Sequence, residues 1–251
     1  MDFRMIKAEA LPQVKELWNY CFEKKDTFFF KWYFSQYCPA QNQIMGGFNK
    51  KNQLQTMLHL NPYNVKVGAQ TIKTQYIVGV ATDPVARGQH IMGDLLRTAF
   101  TVLRASGFTF VILMPINAGI YLPYGFAYTH LKKAYKLPLR ALNLAYIDSG
   151  LLVERVEPLA VVTALAAVYL KVMQIYNGYV VRSLKDWQNI LTVLKGENGE
   201  VVLVKEKETV VGYALYNKDN TTLRVQELLA VNAAVKRRLL AYFKSFAGTF
   251  I

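Results

Sequence analysis

An apolar strand, a turn, a helix and a second apolar strand follow one another between residues 76 and 114, and this run most constrains the fold. Residues 76–82 are almost continuously apolar, as in a strand that is covered on both faces. After an Asp-Pro pair, apolar residues at helical spacing extend from Met92 to Leu103, and a Ser-Gly pair predicts the end of this helix. Residues 108–114 predict a second buried strand. A β-α-β unit predicts parallel pairing and a right-handed crossover.

The elements around this unit extend the prediction to a mixed α/β (α+β) sheet flanked by helices. Residues 14–22 carry apolar side chains at helical spacing, and an aromatic-rich segment follows at 28–37. The remaining patterns predict strands, with a polar turn at 49–52 and another turn at Gly68. The predicted strands of this half are 43–48, 53–60, 65–67, 71–82 and, after the β-α-β unit, Tyr128–Leu137.

The second half of the chain loosely repeats the order of the first half. A helix around 159–175 precedes three predicted strands and a final helix. The predicted strands are 201–205, 210–215 and 223–229, and the predicted final helix is 232–246. The repeat predicts two tandem units: a first domain at 1–137, a connector at 138–150 and a second domain at 151–251. Since Thr249–Ile251 would begin a strand without completing it, we expect the second unit to be truncated.

Composition and charge narrow the classes of function. The apolar fraction of 53% against 19% charged residues excludes intrinsic disorder. Two cysteines, Cys21 and Cys38, predict reduced thiols and a cytoplasmic protein. The most apolar run is too short to span a membrane, since a spanning helix needs about 20 residues. The net charge of +13 lies mainly in residues 1–137, but it forms only isolated basic pairs, so nucleic-acid binding is disfavoured.

The turn between the first apolar strand and its helix has the features of an anion site. Amides at a helix N-terminus have no intrahelical partner, and the helix dipole favours negative charge there. The turn contains Arg87, Gly88, Gln89 and His90, followed by Gly93. This spacing matches neither the P-loop nor the dinucleotide-binding glycine pattern. Taken alone, the turn also fits an ordinary strand-helix connection with an exposed arginine.

A second segment with chemical potential follows the second apolar strand. Its sequence, Ile-Tyr-Leu-Pro-Tyr-Gly-Phe, occupies residues 120–126 and places Tyr121 in a short helix. A tyrosine there can donate a proton to a departing thiolate. Because the chain has 16 tyrosines, a packing role is the better interpretation of Tyr121 taken alone.

Together, the turn and the tyrosine segment resemble the GNAT superfamily of acyl-CoA N-acyltransferases. The closer resemblance is to the Eis-like (enhanced intracellular survival) acetyltransferases. It rests on Gly-Val-Ala-Thr-Asp-Pro-Val-Ala-Arg-Gly at 79–88 and the segment at 121–126, with Arg-Ser-Leu-Lys-Asp-Trp at 182–187 and Gly-Tyr-Ala-Leu-Tyr at 212–216 in the second half. Such proteins have two GNAT-type units and a sterol-carrier-like third domain, which this chain would lack.

The resemblance implies an acetyl-CoA-dependent N-acetyltransferase. Backbone groups of Val80 and Thr82 would hold the pantetheine and the acetyl carbonyl, and Tyr121 would be the general acid. The pyrophosphate turn would run from Arg87 to Met92; its proposed cofactor-binding residues are Arg87, Gly88, Gln89, His90 and Met92. Acetyl-CoA would serve as co-substrate, with no metal. The acceptor would be a primary amine, on a small molecule or on a lysine, attacking the thioester directly.

Two departures from the family pattern leave alternatives open. His90 stands where the family usually has glycine, and the third domain, which carries the family's proposed general base, would be missing. The alternative function is therefore a catalytically impaired CoA-binding or scaffold protein. Glu23 and Asp26 are candidates for a carboxylate cluster at the acceptor site, with solvated surface as the competing interpretation. The general base, the acceptor and homo-oligomerisation are left open.

Overall fold

The computed structural model describes residues 1–142, 144 and 150–248, and these form two compact units divided between Leu131 and Lys132. The predicted domain boundaries at 137 and 151 stay a prediction. The predicted connector contains residues 143 and 145–149, which lie outside the described residues. The strand expected at Thr249–Ile251 also lies outside them.

The first unit is built on a sheet in the order β1-β2-β3-β4-β5. Its strands are β1 (Asp2–Met5), β2 (Gln43–Phe48), β3 (Leu54–Val67), β4 (Gln70–Thr82) and β5 (Val111–Ile112). Neighbouring strands are antiparallel except for β4 and β5, which are parallel. The predicted β-α-β pairing is therefore confirmed, and the predicted third strand at 65–67 is the end of β3.

Helices pack on both faces of this sheet. Their bounds are α1 (Leu11–Cys21), α2 (Phe28–Trp32), a π-helical turn (Tyr33–Tyr37), α3 (Cys38–Gln41) and α4 (Ile91–Ala105). The apolar stripe of α4, with Leu95, Leu96 and Ala99 fully buried, packs against Leu58 and Leu60 of β3. On the opposite face, Trp18 of α1 contacts His59 of β3. The aromatic-rich segment predicted at 28–37 lies on this face too, and it forms α2 and the π-helical turn.

Two predicted strands of the first unit are wrong in extent or in kind. Residues 108–114 contain only the two-residue strand β5, and Met114 is 67% exposed, because β5 ends at a turn soon after pairing with β4. Tyr128–Leu137 is assigned to no strand, and its residues are exposed. Alternation of apolar residues makes a segment suitable for a sheet, but a strand also needs a hydrogen-bonding partner.

The second unit carries the antiparallel order β10-β9-β8-β6. Its strands are β6 (Leu151–Val156), β7 (Tyr179–Val180), β8 (Glu200–Glu206), β9 (Thr209–Lys218) and β10 (Leu223–Ala230). Its helices are α5 (Val162–Met173), α6 (Leu184–Gly196) and α7 (Ala233–Lys244). Separate apolar clusters cover its two faces, one around Trp187 and Leu191, the other around Leu239 and Phe243. The predicted α/β class with tandem units is confirmed.

Seven short 3-10 turns complete the described elements, and three of them lie between residues 84 and 124. Their bounds are Ala8–Ala10, Pro84–Ala86, Ala118–Ile120, Leu122–Tyr124, Leu139–Ala141, Pro158–Val161 and Ser245–Gly248. Among the described helices, none combines the length and the apolar character that crossing a membrane requires.

Candidate active site

The last residues of β4 extend beyond the strand β5 that pairs with it. β5 pairs with β4 only at Gln75 and Tyr76, whereas β4 continues to Thr82. Within the described residues, β4 therefore extends beyond its ladder with β5 along residues 77–82. A strand edge without a neighbour presents backbone N–H and C=O groups to a ligand that runs alongside it.

A β-bulge interrupts this open edge. Met57 of β3 faces Ala81, and His59 faces Val78, so Leu58 alone stands opposite Gly79 and Val80. Gly79 has a φ of +60°, a left-handed conformation that favours glycine. A side chain there would collide with the Trp18 indole and lie 3.2 Å from Cδ2 of His59. The bulge thus reorients the strand next to two buried rings, and bulges of this kind often adjoin active sites.

The connection from β4 to α4 is held by side chains at its beginning. The Asp83 carboxylate accepts a hydrogen bond from the Val85 amide at 3.0 Å and caps the 3-10 turn Pro84–Ala86. Arg87 Nε donates to the Thr82 carbonyl at 3.1 Å. The guanidinium itself is exposed, so a fixed positive charge lies at the end of the open strand.

The N-terminus of α4 follows this arginine. His90 is the N-cap residue, with a φ of +60° and no capping hydrogen bond from its side chain. The first intrahelical bonds run from Gly93 and Asp94 to the His90 carbonyl, so the preceding amides of Ile91 and Met92 have no intrahelical acceptor within the described residues. Gly88 has a φ of +77°, and a Cβ built on this residue would meet no atom within 4 Å. The turn combines helix-terminal amides with an arginine, which suits an anion.

Tyr121 lies between two 3-10 turns, Ala118–Ile120 and Leu122–Tyr124. Its ring meets Phe126 edge to face with centroids 5.7 Å apart. Burial, and secondarily the neighbouring Tyr76, raise the pKa of Tyr121 above its ordinary value. The phenol therefore keeps its proton at neutral pH and can act as a donor.

Several sequence-predicted site residues meet at one place. Val80, Met92 and Tyr121 pack against the same core cluster beneath α4. Thr82 ends the open strand, and its hydroxyl lies 3.1 Å from the Thr56 hydroxyl. The other three residues, Gly88, Gln89 and His90, are exposed along the turn; the Gln89 side chain donates to the Val85 carbonyl at 3.4 Å.

His59 lies fully buried below the bulge. Its Nδ1 is 3.0 Å from the Tyr33 hydroxyl, which also donates to the Asn61 side chain at 3.3 Å. Nε2 is buried without a hydrogen-bond partner among the described residues. Burial lowers the pKa of His59 to about 3, so the ring is neutral at physiological pH.

We expect this buried histidine to make stability fall in acid. In the unfolded chain His59 binds a proton below pH 6.5, whereas in the folded protein it does so only near pH 3. Stability present above pH 6.5 is therefore lost as the pH falls towards 3, and the loss between pH 6.5 and about 5 should be about 2 kcal/mol. Urea unfolding of wild type and His59→Gln across this range tests it: the wild-type curve should fall more steeply. Equal slopes would contradict the expectation, and His130→Gln, at an exposed position, is the control.

The corresponding connection in the second unit is different. β10 ends at Ala230 and α7 begins at Ala233, so only residues 231 and 232 link them, against 83–90 in the first unit. The Asn232 side chain caps α7 by accepting from the Val235 amide at 2.9 Å. The described part of the second unit therefore has no counterpart of the arginine turn.

Comparison with known families places this chain. The model of an acetyltransferase (GNAT) domain matches residues 2–129, and a second model with the same description matches residues 178–249. The chain therefore belongs to the GNAT acetyltransferase family. A search of curated proteins found no match.

Solved structures share the fold across almost the whole chain. A conserved protein of unknown function from Enterococcus faecalis has a TM-score of 0.81 and 17% identity, over 100% of this chain and 64% of its own. A GCN5-related N-acetyltransferase from Anabaena variabilis has a TM-score of 0.77 and 16% identity, over 99% and 64%. Eis1 from Mycobacterium abscessus has a TM-score of 0.69 and 18% identity, over 97% and 63%. The chain thus spans less than two thirds of the length of each.

Proposed function

We propose that this protein is an acetyl-CoA-dependent N-acetyltransferase that transfers an acetyl group to a primary amine. The observation that carries the proposal is the bulged, open edge of β4 ending at the arginine turn and the N-terminus of α4. The fold that it shares with Eis1 over 97% of the chain supports an Eis-like assignment within the family. A cytoplasmic location remains a prediction from cysteine usage.

The residues present fit acetyl-CoA. The open edge of β4 offers backbone groups of Val80 and Thr82 to a pantetheine amide, in the way that a strand receives an extended partner. The exposed Arg87 and the free amides before Gly93 provide positive charge and donors for a pyrophosphate. The open space around Gly88 leaves room for it.

Acetyl-CoA supplies the thioester when it is bound. Val80, beside the bulge, would offer its backbone amide to the thioester carbonyl oxygen and stabilise the negative charge that develops there as the amine attacks. Tyr121 would donate its phenolic proton to the sulfur as the carbon–sulfur bond breaks. The surplus proton of the attacking nitrogen would pass to solvent, and the Tyr121 phenolate would be reprotonated from solvent, so that the products are the amide and the free thiol. Its raised pKa suits a donor that must be protonated before this step.

Calorimetric titration with acetyl-CoA tests the cofactor site. We expect wild type to bind acetyl-CoA and Arg87→Ala to bind it at least about tenfold more weakly, because a charge-assisted contact to phosphate is lost. The control is Arg104→Ala, which removes an exposed arginine in the last turn of α4 and should bind acetyl-CoA like wild type. An absence of binding at millimolar acetyl-CoA would refute the function.

A CoA-binding protein without transferase activity is the second candidate, and His90 is the observation that favours it. This residue adopts the left-handed conformation of a glycine position, and its side chain stands at the mouth of the proposed pyrophosphate turn. A thiol-release assay with a panel of primary amines separates the two candidates. Acetyl-CoA binding without release of CoA thiol would favour the second one.

A further inference from the structure

The carboxylate of Glu23 is fixed in position but carries no compensating charge. Trp18 Nε1 donates to Glu23 Oε2 at 3.0 Å. This indole is 3% exposed and stacks on Tyr33 with centroids 5.0 Å apart, so it anchors the carboxylate to the core. In the part of the chain that the structure describes, Glu23 belongs to no ion pair, whereas nearby Lys25 is paired with Glu16 at 2.8 Å. Glu23 itself is exposed and can receive a cation.

The course of α1 directs the segment that contains Glu23 towards the arginine turn at the end of β4. Near the helix start, the Gln13 side chain accepts a hydrogen bond from the Leu54 amide of β3 at 2.7 Å. In the middle of the helix, Trp18 packs against the bulge at Gly79. At the helix end, Cys21 Sγ is 3.9 Å from Nη2 of Arg87. The helix thus crosses the sheet from β3 towards the arginine turn, and Glu23 follows two residues after Cys21.

Exposed aromatic side chains lie at the end of α1, in the connection that follows it and at the start of α2. Tyr20, Phe22 and Phe28 are 64%, 37% and 39% exposed. The loop is held in shape because the Lys25 amide donates to the Asn19 side chain at 2.9 Å and the Thr27 hydroxyl donates to the Lys24 carbonyl at 2.8 Å. A ligand with one cationic group and a flat apolar body matches this surface.

Charge argues against a polycation in the same place. Lys24 is exposed beside Glu23, and Arg87 is exposed at the end of β4. A ligand with several ammonium groups would meet these like charges within a chain of net charge +13. One anchored carboxylate compensates one ammonium group.

We propose that Glu23 is the anchor for the ammonium group of the acceptor and that the acceptor class is an arylalkyl monoamine. The proposal rests on the proposed function, since it concerns the acceptor side of the same site. It makes Glu23 and the indole of Trp18 a specificity-determining pair.

Nuclear magnetic resonance of 15N-labelled tryptophan tests the proposal without relying on catalysis. The chain has three tryptophans, so the Trp18 indole resonance is assigned by its loss in Trp18→Phe. On titration with phenethylamine, we expect this resonance to shift in wild type. In Glu23→Gln, which keeps an acceptor oxygen for the indole, the amine should bind about threefold to fivefold more weakly, the range expected for an exposed ion pair. Glu9→Gln, at an exposed carboxylate of the 3-10 turn Ala8–Ala10, is the control and should bind like wild type.

Three outcomes would overturn the proposal. These are an unshifted Trp18 resonance at saturating phenethylamine, equal affinity of wild type and Glu23→Gln, and tighter binding of spermidine than of phenethylamine. The proposed function fails by a different result: the amine shifts Trp18 and is bound through Glu23, but acetyl-CoA is neither bound nor consumed. A shift that depends on Glu23 and favours phenethylamine supports the amine site, and binding of acetyl-CoA as well supports its role as the acceptor site.

Discussion

Replacing Tyr121 by phenylalanine is expected to lower kcat for acetyl transfer at least about tenfold, because the only group removed is the hydroxyl proposed to protonate the leaving sulfur. The ring that packs against Phe126 is kept, so the fold and acetyl-CoA binding should be unchanged. Steady-state kinetics with saturating amine, together with calorimetry for acetyl-CoA, measure the two quantities separately.

Tyr124 provides the control for this substitution. It lies in the same segment, and its hydroxyl packs against the start of α4, 2.5 Å from the position that a Cβ of Gly93 would occupy. Tyr124→Phe should change kcat by less than about threefold, since this hydroxyl has a packing contact only. If Tyr121→Phe retained wild-type kcat, Tyr121 would have no part in proton transfer.

Gly79→Ala should abolish acetyl-CoA binding and lower the free energy of unfolding by about 2 to 4 kcal/mol. The substitution places a Cβ in a left-handed backbone, which costs about 1 to 2 kcal/mol, and drives it into the Trp18 indole, which is fixed by stacking. The strand must shift to relieve the collision, so the backbone groups beside the bulge leave their positions.

Gly68 offers a matched control for the backbone term. Its φ is +56°, close to that of Gly79, but a Cβ there would meet nothing within 4 Å. Gly68→Ala should therefore cost only about 1 to 2 kcal/mol and leave acetyl-CoA binding intact. Urea unfolding and calorimetry of both variants separate strain from collision, and equal effects at the two positions would show that the bulge has no special role.

Sequence patterns predicted the elements whose signals lie within one continuous segment. The helix α4 and its parallel strands follow from apolar spacing bounded by Asp-Pro and Ser-Gly pairs, because these patterns act within one segment. Tyr128–Leu137 failed as a strand because pairing depends on distant residues, which alternation does not report. The short edge strand β1 was missed for the same reason: four residues carry too little pattern, and pairing with β2 defines it.

The candidate site also combines features that local sequence predicts with features that depend on contacts between distant residues. The arginine turn and Tyr121 carry recognisable sequence patterns, so they could be selected beforehand. The bulge could not be placed, although one indication was present: a glycine inside an apolar strand often marks a bulge or a close approach. Contact of Trp18 with Gly79 and its hydrogen bond to Glu23 join residues far apart along the chain or on different elements, so only the three-dimensional structure reveals them.

The two-residue link between β10 and α7 has a consequence for ligand stoichiometry. Because Asn232 already occupies the helix start and no arginine turn precedes it, the described part of the second unit offers no place for a pyrophosphate. We therefore expect acetyl-CoA to bind at the first unit, with saturation at one equivalent per chain. The second unit would then retain the fold of the family without a cofactor site.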